Sequence, residues 1–389
     1  MLSLCAEMEY RVLYLEDLGV RIEVSCFEPA GKVGEWHVMY HVEPREEMFA
    51  GQIERLGRAE ELLMKGDEMA DARPVFKRYF LSDATNQKPC INDNGACTVS
   101  YIQQPPLDGS KVALWVYLQR GTDVQANADE LGSTVVSHNG YRQIWTMGMM
   151  SRTGTSYEQT QELLGMYERV LEQYGANIAD NCIRTWFFVR DVDTQYKGLV
   201  VARRENFEEN GLTQDTHYIS STGIGGNPSD PKALIQFGSY AMTGFDPSQQ
   251  QYLYALSHLN RTIEYGVTFE RGTLFRFGDR DHAYISGTAS IDNMGQVMHV
   301  GDVVLQTRRM WENVGELLKE GDMGYEDVMQ IIVYLRDIAD YPTVRRMFAG
   351  RFPDIPCVFT LAPVCRPTWL IEMECIAVRK TLHDEYRDF

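Results

Sequence analysis

Two glutamates stand in an otherwise apolar segment near the end of the chain, VCRPTWLIEMECIAV, residues 364–378. If this segment is a β-strand, Glu372 and Glu374 share one face, because side chains alternate along a strand. A buried carboxylate needs water, a partner or a proton, and burial raises its pKa. Glu372 is therefore a candidate general acid or base, and Glu374 is a candidate member of an ion pair with a cationic residue, or a support for the site.

Three arginines are candidates for holding the carboxylates of a substrate, because a guanidinium group binds a carboxylate through two parallel hydrogen bonds. Arg184 shares its predicted strand face with apolar residues, Arg366 lies just before the two acids, and Arg203 lies on a predicted helix, where it could also be a surface residue. Cys365 is a candidate pocket residue. A nucleophilic thiolate is the alternative, but no histidine lies near it in sequence.

Two glycine-containing segments have an ambiguous role. STGIGG, residues 221–226, contains Gly223, and the segment YISGT contains Ser286 and Gly287. Their backbone N–H groups could receive a carboxylate or an oxyanion, or the glycines could form turns before a strand. STGIGG lacks the GxGxxG spacing of a dinucleotide fingerprint, so nucleotide binding is not indicated.

The elements that must position these residues recur three times. Each copy has a helical run at a glutamine, a loop, and a strand that ends in aspartate: RYFLSD, FFVRD and VYLRD. The spacing from glutamine to aspartate is 31 residues for Gln52–Asp83, 32 for Gln159–Asp191 and 31 for Gln306–Asp337. Near-equal spacings of this kind predict an internal repeat.

The predicted order within a repeat is strands, helix, strand, helix and a closing strand. This order is typical of an α+β unit with helices on one face of a mixed sheet. The approximate limits of the three repeats are 1–130, 131–245 and 246–389, with joints in the polar runs 119–134 and 246–251.

Departures from the repeat are informative, because residues with only a structural role have no reason to differ between copies. The position of Glu372 is Gln236 in the second repeat, and the position of Arg184 is Gln330 in the third. The second repeat thus supplies arginines, and the third supplies an acid and Arg366. This division predicts one surviving site in a cleft between repeats 2 and 3.

Composition excludes several classes of function. The 389 residues carry a formal net charge of −18, which disfavours nucleic acid as a partner. The first residues do not resemble a signal peptide and no stretch is apolar enough for a membrane span, so we expect a cytoplasmic protein without a membrane partner. Eight scattered cysteines indicate reduced thiols. No histidine or acidic spacing predicts a metal, and we expect no cofactor.

The third repeat resembles the RidA/YjgF family of small-metabolite proteins, also labelled endoribonuclease L-PSP-like. The likeness lies in the segments AYISGTASID, GDVVLQTRRMWENVGELLKEG, VYLRDIADYPTVRRMF and IEMECIAV. Proteins of that family are homotrimers with clefts between subunits and a chorismate-mutase-like fold. The resemblance implies that the three repeats form a pseudo-trimer within one chain, which could associate further.

Repeats 2 and 3 also resemble the chorismatases, through RTWFFVRD, YKGLVVARRENF, YISSTGIGG and CRPTWLIEME. This resemblance implies a hydrolase for a small carboxylated metabolite, in which Glu372 protonates an enolpyruvyl ether while Arg184, Arg203 and Arg366 hold carboxylates. Two alternatives stay open. One is imine or enamine deamination as in RidA, and the other is a metabolite-binding protein without catalysis. The first repeat matches neither catalytic pattern.

Overall fold

The computed structural model describes residues 8–389 and contains three β-sheets. The first sheet has the strand order β1-β2-β3-β6-β4-β5-β12, and β12 comes from the second repeat. The elements of the first repeat are β1 (Met8–Leu15), β2 (Val20–Phe27), β3 (Gly34–Val42), α1 (Phe49–Met64), β4 (Arg73–Leu81), α2 (Ala84–Gln87), β5 (Thr98–Gln103) and β6 (Val112–Arg120).

The second sheet has the order β7-β8-β9-β13-β10-β11. Its repeat contains β7 (Asp123–Gln125), β8 (Thr134–His138), β9 (Tyr141–Met150), α3 (Ser156–Gln173), α4 (Ile178–Asn181), β10 (Cys182–Val189), α5 (Val192–Glu209), β11 (Ser220–Gly225), β12 (Asn227–Pro228) and β13 (Ile235–Thr243). A capping box between Thr155 and Glu158 starts α3.

The third sheet has the equivalent order β14-β15-β16-β19-β17-β18. Its elements are β14 (Gln250–Leu253), β15 (Gly272–Arg276), β16 (Arg280–Ala289), α6 (Val303–Glu320), β17 (Val328–Leu335), α7 (Tyr341–Arg351), β18 (Cys357–Leu361) and β19 (Ile371–Lys380). None of the helices between residues 8 and 389 is both long and apolar enough to cross a membrane. The first seven residues, on which the expectation of no signal peptide partly rests, lie outside the described residues.

The α+β class and the three repeats predicted from the sequence are confirmed. In each sheet the closing strand is central: β6, β13 and β19 each lie between two antiparallel partners. Helix α3 packs on the strands of the second sheet and α6 on those of the third. The largest apolar core draws side chains from all three sheets, including Trp115, Trp186 and Tyr284.

The three repeats join in a cycle of backbone pairing. Strand β12 of the second repeat pairs with β5 of the first. The first repeat pairs with β18 of the third, where the Leu107 N–H donates to the Phe359 carbonyl at 3.0 Å. The third repeat returns to β11 of the second, where Gly225 donates its N–H to the Pro363 carbonyl at 2.9 Å. The cycle closes the chain on itself as a pseudo-trimer.

The repeated glutamine has a structural role that explains its spacing. The buried Oε1 atoms of Gln52, Gln159 and Gln306 accept the backbone N–H at the start of each closing strand. The donors are Lys111, Leu234 and Leu370, at 2.8, 2.8 and 2.9 Å. These bonds fix the register of the three copies, so Ala113, Gln236 and Glu372 are equivalent positions.

The first repeat differs from the sequence expectation in its second helix. We predicted a helix after each Asp-ended strand. The second and third repeats have α5 with 18 residues and α7 with 11. The first repeat has only the four residues of α2, followed by the 3-10 turn Lys88–Cys90. The proline of that turn and the polar residues after it leave no apolar periodicity to extend the helix.

Replacing Gln306 with alanine should lower the free energy of unfolding by roughly 2 kcal/mol, because the Leu370 N–H and the Thr368 carbonyl lose their partner. Urea denaturation of the variant and of Gln161→Ala, which removes an exposed glutamine from α3, checks this. Equal stability of the two variants would contradict the anchoring role of Gln306.

Candidate active site between the second and third repeats

A cleft with about 500 Å³ of empty space, part of it open to solvent, lies between repeats 2 and 3. The second repeat contributes α5 and β11, and the third contributes the segment before β15, the bulged strand β16 and the start of β19. Apolar walls of Val267, Ala289, Ile291 and Trp369 surround a few charged side chains. A mainly apolar cleft with few convergent polar groups is typical of a small-molecule site.

Arg203 projects into this cleft from α5 and is only 1% exposed. It shares the inner helix face with Leu199 and Phe207, each four residues away, and that spacing places it inside rather than on the surface. Its Nη1 lies 3.4 Å from Ser221 Oγ, and among residues 8–389 its Nε and Nη2 have no hydrogen-bond partner. Arginine stays protonated in proteins, so Arg203 is a buried cation that lacks an anion.

Arg271 and Arg366 line the same cleft. Arg271 donates from Nε and Nη2 to the Asn260 carbonyl at 3.3 and 3.1 Å. The Arg366 guanidinium lies over the rings of Tyr265 and Trp369, at 4.9 and 5.2 Å from their centroids. In the part of the chain that the structure describes, neither arginine forms an ion pair with a carboxylate. The cleft therefore presents three cations without carboxylate partners.

Glu372 is the acid of the cleft. It lies on β19 opposite Ala289 and Tyr334 and is 5% exposed. Burial and then the neighbouring Glu374 raise its pKa, Arg271 and Arg184 partly oppose them, and the pKa of Glu372 is about 8. At neutral pH Glu372 consequently holds a proton that it can donate.

A β-bulge makes room for the Glu372 side chain. Strand β16 departs from regular pairing between Ile285 and Thr288. A Cβ atom on Gly287 within this bulge would lie 2.2 Å from Glu372 Oε1, so only glycine lets the backbone approach the acid this closely. The Gly287 N–H donates to Thr222 Oγ1 at 2.9 Å, which ties the bulge to the second repeat.

Glu374 is held by several partners, unlike Glu372. Arg184 Nη2 donates to Glu374 Oε2 at 2.8 Å, and Trp186 Nε1 donates to Oε1 at 2.9 Å. The Thr222 hydroxyl also donates to Oε2. Two acids on one strand face thus have different environments: Glu374 is anchored, and Glu372 faces the cleft.

Arg78 of the first repeat also lies next to Glu374, and the sequence analysis did not predict it as a site residue. It is fully buried, and its Nη1 lies 3.6 Å from Glu374 Oε1. Its guanidinium lies 5.0–5.1 Å from the ring centroids of Trp115, Trp186 and Phe188, so cation–π contacts surround it. The available signal was asymmetry between repeats: five residues before the Asp that ends the strand, this arginine replaces Trp186 and Ile332.

Most of the predicted site residues converge. The cleft is lined by Arg203, Gly223, Gly287, Cys365, Arg366 and Glu372. Burial and then Glu372 raise the pKa of Cys365 to about 12, so its side chain is a thiol and not a thiolate at neutral pH. Arg271, Tyr196 and Tyr265 also line the cleft and were not predicted. Arg271 precedes a strand without any recognisable motif, so sequence spacing gave no signal for it.

Two predicted residues lie one layer beneath the cleft instead. Arg184 is occupied by Glu374 and Thr222, and its Nη1 donates to Ser286 Oγ at 3.3 Å. Ser286 Oγ also accepts the Ser221 N–H at 2.9 Å and donates to the Glu270 carbonyl. Neither lines the cleft, so their contact with a substrate stays a prediction without geometric support.

The segment STGIGG is itself a strand and not a turn. Residues 220–225 form β11, which pairs in parallel with β10. The Gly225 and Gly226 N–H groups donate to the Pro363 and Val189 carbonyls. These two groups are therefore unavailable to a ligand, and a nest of glycine N–H donors does not form here. The glycines instead allow Pro363 of the third repeat to approach, since a Cβ on Gly225 would lie 2.7 Å from its carbonyl oxygen.

Comparisons with known proteins agree with this architecture. The family model described as endoribonuclease L-PSP matches residues 278–379. The 3-aminoacrylate deaminase RutC of Acinetobacter baylyi is 33% identical over 96 residues, which are 24% of this chain and 76% of that protein. The chain belongs to the RidA/YjgF superfamily.

Two solved structures are similar to the chain. A chorismatase crystal structure superposes with a TM-score of 0.63 and 20% identity, covering 81% of this chain and 94% of that one. At that identity the match establishes a shared fold. The YjgF gene product of E. coli, 21% identical with a TM-score of 0.27, covers 33% of this chain and 98% of its own.

The raised pKa of Glu372 predicts a specific dependence of stability on pH. Between pH 4.5, its ordinary pKa, and about pH 8, the folded state holds a proton that the unfolded state has lost. The free energy of unfolding should therefore fall with rising pH in this window, by on the order of 5 kcal/mol. Glu372→Gln, which cannot ionise, should lack this component. Both proteins are unfolded in urea at a series of pH values. If their free energies of unfolding changed with pH in the same way, the raised pKa of Glu372 would be contradicted.

Proposed function

We infer that the cleft between repeats 2 and 3 hydrolyses an enolpyruvyl ether of a dicarboxylate, the chemistry of chorismate. The observation that carries this proposal is a proton-holding acid, Glu372, in one cleft with three arginines that lack carboxylate partners. The shared fold with a chorismatase is consistent with it.

The arginines favour a substrate with two carboxylates. A buried cation without an anion is costly, and a bound carboxylate offsets that cost through charge-assisted hydrogen bonds. Arg203 and Arg271 are almost fully buried and come from opposite walls, one from α5 and the other from the segment before β15. A ligand with one carboxylate would leave much of this charge unpaired.

Glu372 supplies the proton in the proposed reaction. The protonated carboxyl transfers it to the methylene carbon of the enolpyruvyl group, which creates an oxocarbenium ion at the ether carbon and leaves a Glu372 carboxylate. Water attacks that carbon and returns a proton to Glu372. The resulting hemiketal passes its hydroxyl proton to the ether oxygen, and the bond between that oxygen and the former enolpyruvyl carbon breaks to give pyruvate and an alcohol. The net reaction consumes one water molecule and regenerates protonated Glu372.

The surroundings suit this chemistry. General acid catalysis is efficient when the pKa of the acid is near the working pH, as it is for Glu372. The carboxylate formed after proton transfer is stabilised by Arg271 and Arg184, which lower the pKa of Glu372. Cys365 lies close by as a thiol and has no part in the proposed steps, because its raised pKa makes it a poor nucleophile.

Pyruvate release from chorismate tests the proposal. The parent protein should release pyruvate, detected by mass spectrometry, and Glu372→Gln should lower kcat at least about a hundredfold through loss of the general acid. The parent rate should fall as pH rises through about 8, where Glu372 loses its proton.

Glu162→Gln, which changes an acid on α3 that does not line the cleft, is the matched control. Absence of pyruvate from the parent removes chorismate as the substrate. Saturable binding without product would favour the non-catalytic alternative.

A second candidate is deamination of an imine or enamine, favoured by the identity to a 3-aminoacrylate deaminase. Protonation of an enamine carbon needs the same acid as protonation of an enol ether. Arg366 would hold the single carboxylate of such a substrate, because Val364, two residues earlier, has an apolar side chain without a hydrogen-bond donor. If the protein is such a deaminase, Arg366→Ala should abolish ammonia release from 2-iminoacids generated in situ. An unchanged rate would remove deamination by this arrangement.

A further inference from the structure

A second cleft lies between the first and third repeats and shares no lining residue with the first cleft. It contains about 1100 Å³ of empty space, part of it open to solvent. The first repeat contributes β2, β3 and the turn at Asp108, and the third contributes α7 and β18. These are the equivalents of the elements that build the first cleft.

The register of the repeats shows that the second cleft has different charges from the first cleft at equivalent positions. Counted from Lys111 and Leu370, the strand residues that the repeated glutamines bind, Glu23 occupies the position that Arg271 has in the first cleft. Ala113 occupies the position of the acid Glu372. The second cleft thus has a carboxylate in place of an arginine and lacks the general acid.

A compact group of charges closes one end of the cleft. Glu23 Oε2 accepts the Cys357 N–H at 2.7 Å, and Glu23 Oε1 lies 2.6 Å from Arg21 Nη1. His41 lies between two carboxylates, with Nε2 3.4 Å from Glu23 and Nδ1 3.7 Å from Asp108. Burial lowers the pKa of His41, but Glu23 and Asp108 outweigh burial and raise it to about 9. Both carboxylate oxygens of Glu23 therefore have partners within the protein.

Three charged side chains at the mouth of this cleft keep polar atoms without a short charged contact: Asp108, Arg345 and Arg346. Asp108 Oδ1 accepts both the N–H and the hydroxyl of Ser110, while Oδ2 has only the long 3.7 Å approach of His41. Arg345 and Arg346, both exposed on α7, form no ion pair within residues 8–389. Asp108 and Arg345 line one continuous depression at the mouth of the cleft. The entrance is therefore lined by one carboxylate and two guanidinium groups.

The interior beyond the entrance is apolar. Phe348, Phe352, Phe359 and Ile355 line it, all from the third repeat. An apolar body buried against these rings gains about 25 cal/mol for each Å² removed from water. A metal ion is not the matching ligand, because no group of three or more potential metal ligands converges in the part of the chain that the structure describes.

We propose that this second cleft binds an α-amino acid with an apolar side chain. The ammonium group meets Asp108, the carboxylate meets Arg345, and the side chain enters the phenylalanine-lined interior. A zwitterion meets charges of both signs there, whereas a dicarboxylate leaves Asp108 repelled and a simple amine leaves Arg345 and Arg346 unpaired. The proposal does not depend on the activity of the first cleft.

Isothermal titration calorimetry of the full chain with L-phenylalanine tests it. Asp108→Asn and Arg345→Ala should each weaken binding roughly tenfold or more, through loss of one charged contact. Phenethylamine, which lacks the carboxylate, should respond to Asp108→Asn but not to Arg345→Ala. Both positions are on the surface, and thermal melting confirms that the variants fold.

Arg203→Ala is the matched control, because it changes the first cleft alone and should leave the affinity for L-phenylalanine unchanged. Binding that is lost in Arg203→Ala and kept in Asp108→Asn would place the ligand in the first cleft and overturn the proposal. Absence of binding at millimolar L-phenylalanine and L-leucine would also overturn it.

Discussion

The carboxylate of Glu374 is the contact on which the site depends. It comes from the closing strand of the third repeat, and it meets Arg184 and Trp186 of the second repeat and Arg78 of the first. A buried ion pair is costly to dehydrate, so removing one partner leaves an unpaired buried charge. All three repeats are therefore constrained at one point. The same carboxylate helps to raise the pKa of Glu372, two residues away. The anchor of the fold thus adds to burial in keeping the acid of the cleft protonated.

Fusion of three repeats into one chain has allowed the three junctions to differ. At the position of Glu372, the second repeat has Gln236, whose Nε2 donates to Ser100 Oγ at 2.7 Å across the junction with the first repeat. The first repeat has Ala113 there. One junction therefore holds an acid with free arginines, one is closed by a neutral hydrogen bond, and one is an apolar cleft with carboxylates at its end. A homotrimer of identical subunits cannot vary its clefts in this way.

The sequence predicted the repeat, the α+β class and the cleft-lining residues Glu372, Arg203 and Arg366, because each depends on local spacing or on differences between copies. It placed Arg184 against a substrate, whereas the structure pairs it with Glu374. A strand pattern gives the face on which a side chain lies but not the residue that meets it across a junction. Arg271 and Arg78 were missed for the same reason. Their roles arise from contacts between repeats far apart in sequence, and neither lies in a motif.

The central claim is that Glu372 and the unpaired arginines act on one dicarboxylate in a single cleft. A crystal structure of Glu372→Gln with chorismate bound tests this most directly. We expect the two carboxylates of the ligand against Arg203, Arg271 or Arg366, with the enolpyruvyl methylene facing the side chain at position 372. A ligand bound elsewhere, or one whose methylene faces away from that side chain, would contradict the account.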